Sequence, residues 1–369
     1  MLDETFLTAS MIVCNEERFL AECLKSIRHI VDEIVIVDTG STDKSKSIAR
    51  SFNARVFDFP WCDDFSAARN EAVRRSRGKW ILYIDADEQL RPIDRHKVKR
   101  LLSDSSKVAF KVRFHPHRGS TAYLEYRIFR NDPRIRFNGL IHETMVPSIY
   151  AVAEEDRMEI GECDVTIDHA GYDGDQKYKH TRNLPLLRRQ LELDPKRIYC
   201  WWHLGTILAE IGDEKSAEEA WMNAIKIIRS RNIIDMNDSL PYVYLIRFYY
   251  RKGKDVDKLI EEAIKLFPDH YYLIWIKAMT LMSKQHFKDA IPLLKLLASV
   301  DINSMDAGQV AYDEKIFNVF SYEPLANCYY QIGMFKDSVT YYACAEQCDP
   351  DNIEYKVKRQ FVSTRIRHK

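Results

Sequence analysis

Lys79-Trp-Ile-Leu-Tyr-Ile-Asp-Ala-Asp-Glu88 decides how the first half of this chain is read. The apolar run is the length of a buried strand, and it ends in two carboxylates one residue apart, Asp85 and Asp87. An α/β fold commonly presents a metal or a ligand at the carboxyl end of such a strand. By itself, an Asp-x-Asp of this kind reads equally as a helix cap or a water ligand, so its meaning depends on what surrounds it.

Working outward toward the N-terminus, strands alternate with helices. Residues 6–14 are a buried-strand run, and a helix follows from Asn15-Glu16-Glu17 to about His29. Glu33–Val37 is a second strand closing on Asp38, and Thr39-Gly40-Ser41-Thr42-Asp43 is a turn in which Ser41 or Thr42 caps the next helix. Ala54–Phe57 is a short third strand, residues 65–76 are a helix, and Gly78 interrupts the chain before the strand 79–84. This spacing predicts a parallel, doubly wound sheet. Cys14-Asn15-Glu16 stands where a dinucleotide fold needs G-x-G-x-x-G, so Asp38 does not belong to a standard NAD site. A mononucleotide along the strand ends remains open.

Four blocks now carry a resemblance: Met11–Glu17, Asp32–Asp43, Phe65-Ser-Ala-Ala-Arg-Asn70 and Trp80–Glu88. Their order and spacing resemble family 2 glycosyltransferases of the GT-A fold, over roughly residues 5–170. The resemblance extends to Arg127-Ile-Phe-Arg130, Gly139-Leu-Ile-His-Glu143 and Ile167-Asp-His-Ala-Gly-Tyr172. It implies an inverting transfer from a nucleotide-sugar donor, usually a uridine diphosphate sugar. It places Val13 and Asn15 near the nucleotide, Asp38 at the base, Arg69 close by, and Asp85 by the ribose or metal. Asp87 would bind Mg²⁺ or Mn²⁺, as hard oxygen ligands do, with His169 as a third metal ligand beside the acid pair. Inverting transfer needs one base for the acceptor proton; Glu143 is the candidate, with His142 the alternative base or a sugar contact. Arg127 and Arg130 have the chemistry to hold phosphate or carboxylate on two bonds, and a solvated strand face is the competing reading, favoured for Arg130. His142-Glu-Thr-Met-Val is not H-E-x-x-H, which excludes a zinc protease on motif grounds. Nucleotidyltransferases share a related fold but carry a Gly-rich basic loop that Cys14–Glu17 lacks.

After Glu88, Arg91–Leu102 reads as a helix and Lys107–His115 and Thr121–Arg130 as strands of a sheet that has become mixed. From about Asp175 the strand signals stop. Residues 176–194 are a helix ending before Pro195, and then segments recur at Lys215, Lys254, Lys288 and Lys336. Their starts are 39, 34 and 48 residues apart, and each follows an aromatic-rich helix at 199–210, 241–251, 271–283 or 322–332. This resembles tetratricopeptide repeats, units of two helices and about 34 residues. Trp202, Leu204, Gly205, Ala217 and Ala224 fit that consensus best, and 229–240 and 299–321 are insertions. The expected organisation is therefore a GT-A domain over residues 1–175 and a TPR-like helical domain over 176–369. The aromatics are first of all core; a concave face for a peptide, another protein or a second copy of the chain is the sharper reading.

Bulk properties exclude several classes. Lys+Arg and Asp+Glu both number 55, so no net charge argues for nucleic acid. No apolar run reaches the ~20 residues of a membrane span, and the acidic start Met1–Thr5 is unlike a signal peptide. The expectation is a cytoplasmic protein, with weak attraction of the basic tail Lys356–Lys369 to anionic membrane. The eight cysteines form no CxxC pair and read as structural thiols. For the acceptor, the relatives implied by the resemblance modify peptide side chains, cysteine thiols among them, or extend lipopolysaccharide and capsule glycans; the repeats favour a polypeptide. A binding scaffold with a relic donor domain is the reading from another class.

Overall fold

The computed structural model describes residues 6–170, 176–305 and 307–367. Met1–Thr5, the end of the Ile167–Tyr172 block and His368-Lys369 lie outside the described residues. The chain divides into two compact units: one takes residues up to Arg118 and Ala122–Ile207, the other Gly119–Thr121 and Leu208 onward.

The first unit is built on an eight-stranded mixed sheet. In chain order it runs β1 (Leu7–Val13), α1 (Leu20–Ile27), β2 (Glu33–Asp38), α2 (Ser45–Ser51), β3 (Arg55–Asp58), α3 (Phe65–Arg75) and β4 (Trp80–Tyr83). There follow β5 (Glu88–Leu90), α4 (Arg95–Leu102), β6 (Lys107–His115), β7 (Tyr123–Arg130), α5 (Val146–Asp156) and β8 (Glu159–His169). Two helices close it, α6 (Gln176–Leu193) and α7 (Ile198–Glu210), the second crossing the unit boundary at Ile207. The spatial strand order is β3-β2-β1-β4-β7-β6-β8-β5.

The first four strands in that order are parallel, as the alternation predicts, and they read as continuous apolar runs because helices cover both faces. β7 then joins β4 antiparallel, with Trp80 opposite Arg130, and the sheet becomes mixed. One core face gathers Leu7, Met11, Leu20, Leu24, Ile36, Trp80 and Leu82; the other gathers Ile81, Val108, Phe129, Phe137 and Ile149. Strand β5 leaves the company of β4 after four residues and pairs instead with β8, Glu88 opposite His169. Residues 84–87 therefore lie where the chain quits one ladder before entering another.

Several expected elements are displaced. The first helix starts at Leu20, and α2 starts at Ser45 with Asp43, not Ser41 or Thr42, accepting from the Ser45 amide (2.9 Å). The helix expected over Arg91–Leu102 begins at Arg95, behind Asp94 as its cap. Arg130 is not a solvated strand face: it donates to the carbonyls of Asp104, Ser105 and Lys107 and lies over the Trp80 ring.

The second unit is all-helical. Its elements are α8 (Glu214–Arg229), α9 (Leu240–Arg251), α10 (Asp257–Leu266), α11 (Tyr271–Ser283), α12 (Phe287–Ala298), α13 (Val319–Gln331), α14 (Phe335–Cys348) and α15 (Ile353–Arg367). These are the helix pairs expected from the repeats, with Ala217 and Ala224 fully buried where helices approach. Gly212, Gly253 and Gly333 hold φ of 87°, 67° and 79° at the helix–helix turns, a conformation that side chains resist. The insertions carry short 3₁₀ turns, Met236–Ser239 and Glu314–Phe317. The expected boundary at 175/176 differs from the unit boundary, because α6 buries Leu186, Leu187 and Leu191 and its Gln190 bonds the backbone of Leu140. The basic tail is in part paired: Lys358 meets Glu323 and Glu354, and Arg359 meets Glu346. No helix among the described residues is long and apolar enough to cross a membrane.

Candidate active site

Three groups of residues line the carboxyl ends of the strands. The first ties the loops after β1 and β2 together. Val13 closes β1, and its carbonyl accepts from the amide and hydroxyl of Thr39. Asn15 takes a left-handed φ of 58°, and its side-chain oxygen accepts from the Thr42 amide (2.8 Å). Asp38 ends β2 and is 2% exposed; Oδ1 accepts from the amides of Gly40 (3.1 Å) and Ser41 (2.9 Å), with Lys46 Nζ at 3.4 Å. Its other oxygen, Oδ2, is buried without a hydrogen-bond partner among the described residues. A buried acceptor left open in this way is costly unless something else supplies the donor.

The second group centres on Arg69, one turn into α3. Its guanidinium bonds Asp85 on two atoms (2.8 and 3.2 Å), and its Nε donates to Glu143. The ring of Tyr83 lies beneath it at 4.5 Å. Burial raises the Asp85 carboxyl, but the Arg69 and Arg127 charges outweigh it and hold the pKa below the ordinary value. One cation thus bridges two acids that lie 58 residues apart in the chain, Asp85 and Glu143. The turn bearing Asp85 is fixed from behind: Glu88 accepts from the Asp85 amide (2.8 Å) and from Arg127 on two bonds (3.1 and 2.7 Å).

The third group is Asp87 with His169, whose Nε2 lies 3.2 Å from Asp87 Oδ2. The β5–β8 pairing brings them together, and the Ala170 amide donates to the Asp87 carbonyl (2.8 Å). Burial lowers the His169 pKa, but the bond to Asp87 and the charges of Asp87, Glu88 and Asp85 outweigh it and raise it.

Three of the expected site residues stand among protein partners. Asp85, taken as a metal or ribose ligand, is engaged with Arg69 and does not join Asp87 and His169; among the described residues no three metal-ligating side chains converge. Arg127 does hold a carboxylate on two bonds; the partner is Glu88, with Glu125 as another, and the residue is 3% exposed. His142, the alternative base, turns its ring onto His203 (centroids 4.0 Å, 20° between planes) and against Tyr199, and burial holds its pKa well below the ordinary value. The residues that sequence reasoning missed are Tyr83, clasped between Arg69 and Arg127, and Gln190, Arg197 and His203, which the repeat pattern had assigned to another domain.

A mixed sheet with acids at its carboxyl edge, followed in the chain by a helical region, is an architecture of the GT-A type. The family model for glycosyl transferase family 2 matches residues 8–154. A TPR repeat-containing protein of Synechococcus elongatus is 32% identical over 260 residues, 68% of this chain and 63% of that protein. The SPbeta prophage-derived glycosyltransferase SunS of Bacillus subtilis is 27% identical over 209 residues, 53% of this chain and 47% of SunS. The chain thus spans less than two thirds of either relative's length. Among solved structures, a Mycobacterium tuberculosis glucosyl-3-phosphoglycerate synthase bound to Mn²⁺, UDP and glucosyl-3-phosphoglycerate shares 16% identity with a TM-score of 0.37, over 50% of this chain and 78% of that one.

Proposed function

We propose that this chain is an inverting glycosyltransferase that moves a sugar from a nucleotide-diphosphate donor, a UDP-sugar, to a polypeptide or glycan acceptor. The pairing of Asp87 with His169 at the end of the Asp-x-Asp segment carries the reading. The Asp87 carboxylate suits Mg²⁺ or Mn²⁺, since Mg²⁺ is typically held by one or two carboxylates with substrate phosphates and water filling the rest, and His169 stands beside it as a nitrogen ligand open to Mn²⁺. Bound there, the cation would neutralise charge on the leaving diphosphate.

The remaining roles follow from the chain itself. Asp38 Oδ2 is the acceptor for an N–H of the base, with Val13 and Asn15 shaping the same end of the nucleotide site. Arg69 orients Glu143. As the acceptor's O–H or S–H attacks the anomeric carbon, Glu143 takes its proton; the bond from that carbon to the diphosphate breaks, and the electron pair leaves with the diphosphate. The helical unit is the docking element for a polypeptide acceptor or a partner chain.

The test is a thermal-shift panel of nucleotide sugars with and without Mn²⁺, on the native chain and on Asp87→Ala. A ligand of the native state raises the melting temperature by mass action. A Mn²⁺-dependent shift with one UDP-sugar, lost in Asp87→Ala, is expected. The same shift without the cation, or none with any donor, overturns the reading in favour of a scaffold.

A further inference from the structure

The segment that carries Glu143 has little structure of its own. Asn138 and Thr144 exchange backbone hydrogen bonds (3.0 and 3.1 Å), and the five residues between form a turn with two left-handed positions, Gly139 at φ 110° and His142 at φ 51°. A histidine in that region costs about 1–3 kcal/mol and persists only where its surroundings impose it.

The surroundings come from α6 and α7, beyond the residues matched by the family model. Gln190, 5% exposed on α6, accepts from the Leu140 amide (2.7 Å). Arg197, just before α7, donates to the His142 carbonyl. The same guanidinium fills the space over Gly139, where an added Cβ would collide with Arg197 Nη1. His203, about one turn along α7 from Tyr199, stacks on the His142 ring. Four of the turn's features, namely one amide, one carbonyl, one ring and one bare Cα, are thus read by side chains from a single helical hairpin.

We infer that the α6–α7 hairpin is a positioning element for Glu143, with Arg197 its principal positioning residue. By gripping the His142 carbonyl, Arg197 holds the next residue's side chain against Arg69. The inference rests on the base role given to Glu143, but the clamp itself is measurable without any substrate.

The experiment compares the full chain with Arg197→Ala, Arg197→Lys, Gly139→Ala and the Arg197→Ala/Gly139→Ala double variant. Amide exchange is followed over 138–144, alongside steady-state kinetics and donor affinity. Arg197→Ala should speed exchange of the turn and lower kcat about 10- to 100-fold, the scale of a misplaced group, with donor affinity unchanged. Arg197→Lys keeps a donor for the carbonyl and should recover part of both effects. Gly139→Ala displaces the guanidinium and should mimic Arg197→Ala, and the double variant should lose far less than the sum of the two. Unchanged exchange at 138–144 in Arg197→Ala overturns the inference, as does an equal loss of donor affinity and kcat, which would mark general damage. If Glu143→Gln stays active while Arg197→Ala loosens the turn, the clamp stands and the base assignment falls.

Discussion

Replacing Arg69 by Met removes the one guanidinium that lies between Asp85 and Glu143. In the native chain the Asp85 pKa is held below its ordinary 3.8 despite burial, because the arginine charges win. A carboxyl depressed in the fold contributes stability above its unfolded pKa and loses it only as the pH falls through the folded value. From pH 5 to 8 this group therefore gives the native protein no slope. Without Arg69 the sign reverses. Asp85 keeps its burial, and Glu143, with a side chain 8% exposed, becomes an unpaired neighbour of the same charge. Burial and like charge both raise a carboxyl, and a raised group contributes stability at low pH that is lost as the pH climbs. Breaking a buried pair from one side costs about 3–5 kcal/mol. We expect that loss at pH 8 and one smaller by about 2 kcal/mol at pH 5, since the slope is at most about 1.4 kcal/mol per pH unit for one proton. Urea unfolding of both proteins at pH 5, 6.5 and 8 measures it, and subtraction cancels groups common to both. A loss of the same size at all three values, or under about 1 kcal/mol throughout, would refute the reasoning.

Arg127→Met should cost about 3–5 kcal/mol by stranding Glu88, whereas Arg127→Met with Glu88→Met should be nearly neutral in urea unfolding, and donor affinity should survive in the double variant. Asp38→Ala should weaken UDP-sugar binding about 10- to 100-fold in titration calorimetry, the value of a lost buried hydrogen bond, and leave kcat within a few-fold. His270, 2% exposed at the start of α11, is pushed by burial down to about 4. Its unfolded form binds a proton first, so stability present above pH 6.5 is lost as the pH falls toward 4. The melting temperature of the helical unit should drop between pH 7 and 5, and His270→Asn should flatten that dependence.

How far the sequence reaches depends on the range of the forces involved. The parallel strands and the repeat helices were legible because their apolar runs and 3.6-residue patterns are local: β6 falls on the expected Lys107–His115, and α11 on 271–283. β5 was not, because three residues carry no period and Glu88–Leu90 is a strand only by virtue of β8. β8 itself pairs with β6 through two register shifts, which break the alternation of buried positions. α5 had a readable signal, Pro147 in its first turn, that was passed over. In the site, Asp38, Asp85 and Asp87 stand at strand ends as expected. What sequence could not supply was which acid meets which cation. Arg69 and Glu143 are 74 residues apart, and Arg127 looked like a ligand for phosphate until Glu88 was seen to occupy it.

The pairing of β5 with β8 has a consequence for how such a chain comes into being. Asp87 is made early and His169 some eighty residues later, and the two meet only when the last strand in the chain, β8, pairs with β5 at the end of the sheet. A ribosome-bound chain stopped before Asp168 would carry the loops after β1 and β2 yet leave Glu88 and Gln89 unpaired and Asp87 without His169. Closing this edge of the sheet and bringing Asp87 to His169 are thus a single step, so under the proposed function an unfinished chain would lack the completed Asp87–His169 pair.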